Sequence, residues 1–530
     1  MPQDTKSVIL ALGAAVLVAT LYYVRPKKKN APLPPGPKGL PVLGNAADLP
    51  QSQAWLTFSQ WAKAYGPIVH LNVLGKSIII LNNVGWATDM LDKKSRIYSN
   101  RPNLIMGGQL VGWDEGPALI QFGKKWSDYR RLMAQSLGTR SKIETAYSIV
   151  LEKATHSFLH GLLQNPEMWK EHGYRFAGAI VLKIAYGYEA EDKEDPLIRL
   201  VDDAMDQFSE MTGTNAFAVD TFPILRFVPQ WFPGAGWKKK VGPYHTTLQT
   251  MLDAPYDWVK KQMASGTSIS CFVSDLLESN NFTSTEEERL VKWAAAGIYS
   301  EIHFLGGAET TAAVVETFFL AMVMQPDAQR RAQAELDAVI GFCAEPRLAD
   351  RSRLPFMDAL VSEIFRAYTM GPIGLPHVAA EDDVHNGFFI PKDAIILTNN
   401  WLFYRDPNTY NDPETFRPER FIETATHTKE KDPQDILFGY GRRQDLIISA
   451  TVLFISLAMF AGVLLADAAM WLLFTSTLAF FDIGVPIENG RPVLPSGRFS
   501  DGSISHPEQF KCTITARKGA AEAIRRLLDE

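Results

Sequence analysis

A mainly helical fold with small β-sheets is what the sequence predicts, on three observations. From about Ala54 onward, segments with helical periodicity dominate. They are interrupted by short β-like runs, Pro67 to Leu74 and Ser77 to Leu81. Further on, His385-Asn386-Gly387 lies between apolar runs, and Asn-Gly accepts the positive φ that a tight hairpin needs. With 530 residues and 46% hydrophobic content the chain can bury a sizeable core, and it carries no internal repeat or low-complexity tract.

The first element in order is Val8 to Val24, an uncharged, mostly apolar run. It is just long enough to cross a hydrocarbon core as a helix. A cleaved secretory signal would concentrate positive charge ahead of the apolar stretch; here only Lys6 precedes it, while Arg25, Lys27, Lys28 and Lys29 follow. The expectation is therefore a transmembrane anchor helix with its basic flank and the body on the cytosolic side. Ala31 to Pro41 is rich in proline, which fixes φ and removes donors, so a stiff extended spacer should hold the body off the anchor. The expected division is residues 1–30 as anchor and basic flank, 31–45 as hinge, and 46–530 as one domain.

Within that domain a long helix should open near Ser284 or Thr285. The pairs Ser284/Glu287 and Thr285/Glu288 have capping-box spacing, and Pro326 ends the run. A shorter helix should follow from Pro326 to Ile340, stopped by Gly341, and another from Phe356 to Tyr368 before Gly371-Pro372.

Net charge is only -6, with no basic field that would suit nucleic acid. Cys271, Cys343 and Cys512 are too few and too scattered for a disulfide framework or paired metal ligands, which points to a reducing environment.

Several motifs could carry chemistry. Inside the long helix, Phe304-Leu-Gly-Gly-Ala-Glu-Thr-Thr311 sets Gly306 and Gly307, which weaken a helix interior, beside an acid and two hydroxyls. The glycines would let a flat ligand approach the backbone while Glu309 and Thr310 relay protons; taken alone, the stretch equally suits close helix packing. Glu363-Ile-Phe-Arg366 places an acid and a base on one helix face, taken alone a surface ion pair, and a buried guanidinium in Phe416-Arg-Pro-Glu-Arg-Phe421 could complete a network with them. Phe438-Gly-Tyr-Gly-Arg-Arg443 presents glycines and arginines in a loop able to pass a ligand closely and offer cations to carboxylates.

In this order the motifs resemble the cytochrome P-450 family, and the resemblance implies that family's fold and roles. Glu309 and Thr310 would be the acid and alcohol that deliver protons for O–O cleavage, on the stretch from Gly306 to Thr311 that lies over the haem. Glu363, Arg366 and Arg420 would form a structural network. Trp126 and Arg130 match the family's Trp-x-x-x-Arg helix, which binds a haem propionate; Arg443 occupies the other propionate position, with His377 assisting. Phe438 and Gly441 belong to the haem loop. The hinge, Leu375-Pro-His377 and Ser505 to Cys512 are similar to fungal microsomal members of the O-methylsterigmatocystin oxidoreductase type, including those of secondary metabolism. That likeness implies an endoplasmic reticulum membrane location, haem b, electrons from NADPH through a cytochrome reductase, and a small lipophilic substrate. Asn103 to Ile120, Met205 to Pro233 and Ile302 to Leu305 would wall the pocket. Phe222 to Pro233 would dip into the bilayer, its alternative being a buried loop.

One departure matters. The family's haem loop runs Phe-x-x-Gly-x-Arg-x-Cys-x-Gly, and where the iron-ligating cysteine should be the chain has Asp445. The pattern resumes at Gly462-Val-Leu-Leu-Ala-Asp467, so residues 445–461 read as an insertion replacing Cys-Pro. Either misplaced splice boundaries add intron sequence in frame, or the chain is a haem-deficient, non-catalytic membrane protein acting in binding or as a scaffold. On the second alternative, Leu446 to Ala466 would be a second membrane span or a buried helix. The expectation is a haem-dependent monooxygenase by descent, inactive as written.

Overall fold

A computed structural model describes residues 31–190, 195–212, 217–280, 282, 284–304, 308–437, 439–441, 461–501 and 504–529. The anchor expected over Val8 to Val24 lies outside them, as do Gly306, Gly307, Phe438, Arg443 and Asp445. Among the described residues no helix is long and apolar enough to cross a membrane.

Helix ends follow local chemistry. Ser284 and Glu287 exchange the reciprocal bonds of a capping box, backbone N–H to Oε2 at 3.1 Å and N–H to Oγ at 3.2 Å. The helix they open is described as Thr285–Phe304, and Ala308–Met324 follows it, ending just before Pro326. Pro326–Val339 stops at Gly341, whose φ of 122° departs from the helix. Pro355–Ala367 matches the helix expected over Phe356 to Tyr368.

The main sheet has four strands in the order β1 (Ile68–Val73), β2 (Lys76–Leu81), β6 (Ile395–Thr398), β3 (His377–Val378). β2 and β6 are parallel and the other pairs antiparallel. The expected hairpin joins β4 (Asp383–His385) to β5 (Phe388–Ile390), with Asn386 at φ 45° and Gly387 at φ 82°, the left-handed pair that matches strand twist.

The proline-rich segment is extended, as its composition predicts, but it is strapped along the sheet. The Pro32 carbonyl accepts from the Phe389 N–H at 2.7 Å and the Pro35 carbonyl from the His70 N–H at 2.9 Å. Gly36 permits the contact, because a Cβ there would sit 2.1 Å from the His70 oxygen. The carbonyls of this segment find donors on strand edges, so from Pro32 onward it lies against the body; how it stands to the anchor falls outside the described residues.

The large core surrounds the long helices. In helix Ala461–Phe480 the side chains from Asp467 to Phe480 are buried, and Phe474 stacks on Phe318 at 4.1 Å between ring centroids and 5° between planes. Its one acid, Asp467, is paired: Arg351 donates to both carboxylate oxygens, at 2.5 and 3.1 Å, and Gln434 donates at 3.1 Å. Of the apolar run Leu446 to Ala466, side chains are described only from Leu464 onward; there Leu465 is buried and Leu464 packs partly buried against the core.

Candidate functional site

Three segments far apart in sequence meet at one place. Helix Lys124–Leu137 carries Trp126 and Arg130 one turn apart, and the guanidinium lies over the indole at 4.6 Å. Phe122 packs against Trp126 at 5.2 Å, and the Phe122 N–H donates to the Asn100 side chain at 3.2 Å. Asn100 in turn accepts from the Val378 N–H through its carbonyl at 2.9 Å, which brings in β3. His377, buried, bonds through Nδ1 to the Tyr98 carbonyl at 2.7 Å. A carbonyl only accepts, so Nδ1 carries the hydrogen.

At the centre is Arg101, which sequence reasoning missed. Its Nη1 donates to the carbonyls of Leu375 at 3.1 Å and Pro376 at 2.8 Å, and among the described residues no carboxylate pairs with it. Burial alone pulls its guanidinium down to about 10, the direction expected of a cation short of counter-charge. The only sequence signal is an arginine before proline in Ser-Asn-Arg-Pro, with nothing local to say that it is buried.

The network of Glu363, Arg366 and Arg420 is present and buried. Arg366 donates to both oxygens of Glu363, at 2.7 and 2.8 Å, and Arg420 Nε lies 3.1 Å from the same carboxylate. The remaining donors reach the carbonyls of Tyr404, Pro413, Asn411, Asp412 and Thr415. Sequence reading gave three charges; the structure adds Glu430, which accepts from Arg420 at 2.7 Å and balances the second guanidinium.

Gly441 has φ 62°, and its N–H donates to the Asp92 carboxylate. A Cβ there would lie 2.0 Å from the Leu91 carbonyl oxygen, so the glycine permits approach to backbone rather than to a ligand at this point. Burial pushes the Asp92 carboxyl up to about 6. Glu309 and Thr310 lie in helix Ala308–Met324, their side chains outside the described set.

None of the three cysteines has the surroundings of an iron ligand. Cys271 caps the helix Phe272–Ser279 with Ser274, Cys343 lies 3.5 Å from the Lys518 carbonyl, and burial pushes the Cys512 thiol up to about 12. Among the described residues no group of three or more His, Cys, Asp or Glu could hold a metal ion.

A family profile described as Cytochrome P450 matches residues 34–444 and ends at Gln444, one residue before Asp445. Cytochrome P450 monooxygenase 208 of Postia placenta is 43% identical over 519 residues, covering 97% of this chain and 97% of the relative. Cytochrome P450 monooxygenase claR of Ampulloclitocybe clavipes is 38% identical, covering 99% and 94%. O-methylsterigmatocystin oxidoreductase of Aspergillus flavus is 33% identical, covering 99% and 95%.

Proposed function

Because the chain belongs to the cytochrome P450 family, whose named relatives are monooxygenases, we propose that it derives from a fungal haem-dependent oxidase of small lipophilic substrates that lacks its iron ligand as written. Asp445 in place of the ligating cysteine carries this reading. Haem held through a thiolate activates O2, the thiolate pushing electron density that favours O–O cleavage, which a carboxylate does not do equally well.

The chain's own residues suit one end of that group. Arg101, a buried cation whose partners among the described residues are carbonyls, fits a propionate; Trp126 and Arg130 are linked to its neighbour Asn100 through Phe122, and His377 follows its partner Pro376. At the iron end the sequence has Asp445 where the thiolate is expected, so no oxidation step is assigned to this polypeptide. Glu309 and Thr310 keep their assignment as the proton-delivering pair of the ancestral reaction, with NADPH electrons arriving through a reductase. Haemin titration followed by absorbance tests the cation cluster. Arg101→Leu and Arg130→Leu should each weaken uptake about tenfold or more, the worth of one charge-assisted bond. Unchanged uptake in both would remove the cluster from the site.

Splice error is the favoured origin of residues 445–461, supported by the abrupt return to family pattern at Gly462 and by the helix Ala461–Phe480 that begins beside it. Sequencing the transcript across Phe438 to Ala466 decides it: Cys-Pro directly after Gln444 makes the protein an ordinary monooxygenase. A message encoding 445–461 as written leaves the non-catalytic membrane protein.

Membrane attachment at the endoplasmic reticulum rests on the run Val8 to Val24 and on a second feature. Between Phe222 and Pro233 the side chains of Ile224, Phe227 and Trp231 are 70%, 69% and 81% exposed, which removes the buried-loop alternative for these residues. Apolar side chains grouped this way suit a bilayer interface, with Lys238, Lys239 and Lys240 beside them for anionic headgroups. In a chain lacking residues 1–30, the triple change Ile224→Ser, Phe227→Ser, Trp231→Ser should reduce vesicle binding at least tenfold in a flotation assay. Equal flotation would put the contact elsewhere.

A further inference from the structure

Residues 88–101 form one strip of chain that ends at the cation of the cluster, Arg101. It opens as a π-helical turn, Thr88–Lys93, whose Met90 and Leu91 are buried, and passes through the short helix Ser95–Tyr98. Its far half is fastened to the body at several points. Lys94 Nζ donates to both oxygens of Asp383, at 3.0 and 2.7 Å, and Tyr98 OH donates to the same carboxylate at 2.8 Å. The carbonyls of Ile97 and Asn100 accept from the N–H groups of Ala380 at 2.8 Å and Val378 at 2.9 Å. These ties hold the strip against β3 and β4 independently of what meets its opening turn.

That opening turn carries the loop through Gly441. Tyr440 belongs to the same buried cluster as Met90, Leu91 and Tyr98. Gly441 takes the left-handed φ of 62°, and a Cβ on it would lie 2.0 Å from the Leu91 carbonyl oxygen and 2.8 Å from the Ser95 Cβ. In this conformation its N–H donates to the Asp92 carboxylate, 349 residues away in sequence. A side chain at position 441 would lift the loop off the turn and take the N–H from its acceptor. Backbone conformation, missing side chain and accepting carboxylate therefore serve one contact, which the apolar packing of Tyr440 does not by itself require.

We infer that Asp92 is a positioning residue for this loop: it fixes Gly441, two residues before Arg443 and four before Asp445, to the strip that carries Arg101. One piece of backbone then sets the spacing between loop and cation, as a rigid flat ligand held by both requires. That role rests on Arg101 and the loop facing one haem; the dock of Gly441 on Asp92 does not. The contact uses the oxygen of Asp92 more than its charge. Burial pushes its carboxyl up, the Gly441 N–H and Lys431 pull it down by less, and Asp435 adds to the rise, so the ionised form is held at a cost. An uncharged acceptor of the same shape should serve as well.

Amide hydrogen exchange on the full chain, read without haem, tests the dock separately from ligand binding. Asp92→Ala should speed exchange at Gly441 about tenfold or more, the worth of one hydrogen bond to a desolvated group. Val378 and Ala380 should keep the parent rate, because Asp383 still holds the strip. Asp92→Asn should return Gly441 to within about threefold of the parent, since its amide oxygen still accepts. Parent-like exchange at Gly441 in Asp92→Ala overturns the proposal. So does Asp92→Asn matching Asp92→Ala, which would leave the accepting oxygen no role. An equal rise at Val378 and Ala380 overturns it too, because Asp92 would then support the whole strip and not the loop.

Discussion

Glu363→Gln is expected to cost about 3–5 kcal/mol of stability, the range for removing one partner of a buried ion pair. The carboxylate is fully buried and is the common acceptor for Arg366 and Arg420, themselves buried. Without its charge two guanidiniums remain in the core with carbonyls and one acid, Glu430, and neither can lose its proton. Against a total of about 5–15 kcal/mol for a typical domain, the variant should unfold at a much lower urea midpoint or fail to accumulate folded. The exposed pair Arg331 and Glu419 provides the contrast, worth under about 1 kcal/mol, and Arg331→Gln should leave the midpoint nearly in place. Should the two variants match, the network carries no more than a surface pair. Glu430→Gln, which strips charge from only one arginine's surroundings, should fall between them.

Replacing Asp445 to Ala461 by Cys-Pro is expected to change the protein from one without thiolate-ligated haem to one with it. The replacement rejoins Gln444 to Gly462 and restores the family spacing on both sides. Helix Ala461–Phe480 is already fixed by Phe318, Arg351 and Gln434, so the loop should close onto a prepared frame. Reduced protein treated with carbon monoxide should then show the absorption band that gives the family its name, and the parent chain should not. Ser-Pro at the same place should lose the band, since a hydroxyl does not supply the thiolate. A parent chain that already shows the band would refute the missing-ligand reading outright.

Features legible in the sequence were those whose partners are near in the chain. Ser284 and Glu287 are three residues apart, Asn386-Gly387 makes its own turn, and Gly341 ends a helix by its own φ. The pair Glu363 and Arg366 was readable for the same reason, one helical turn separating them. Arg420 joined them only through family likeness, and Glu430 not at all, because nothing local marks a lone glutamate as buried. Arg101 meets Leu375 and Pro376 across more than half the chain, and Asp220 meets Ile105 across 115 residues.

The sequence by itself determined the helical class, the family and the loss of cysteine at Asp445, since composition, periodicity and motif order are properties of the chain alone. Only the tertiary structure decided that the proline-rich segment lies against β1 and β5, that Arg101 is buried with no carboxylate partner among the described residues, and that Asp220 accepts from the N–H groups of Ile105 and Met106. The physical reason is the cost of burying polar groups. A carbonyl, guanidinium or carboxylate must find its partner wherever packing brings one, and sequence distance does not constrain that choice.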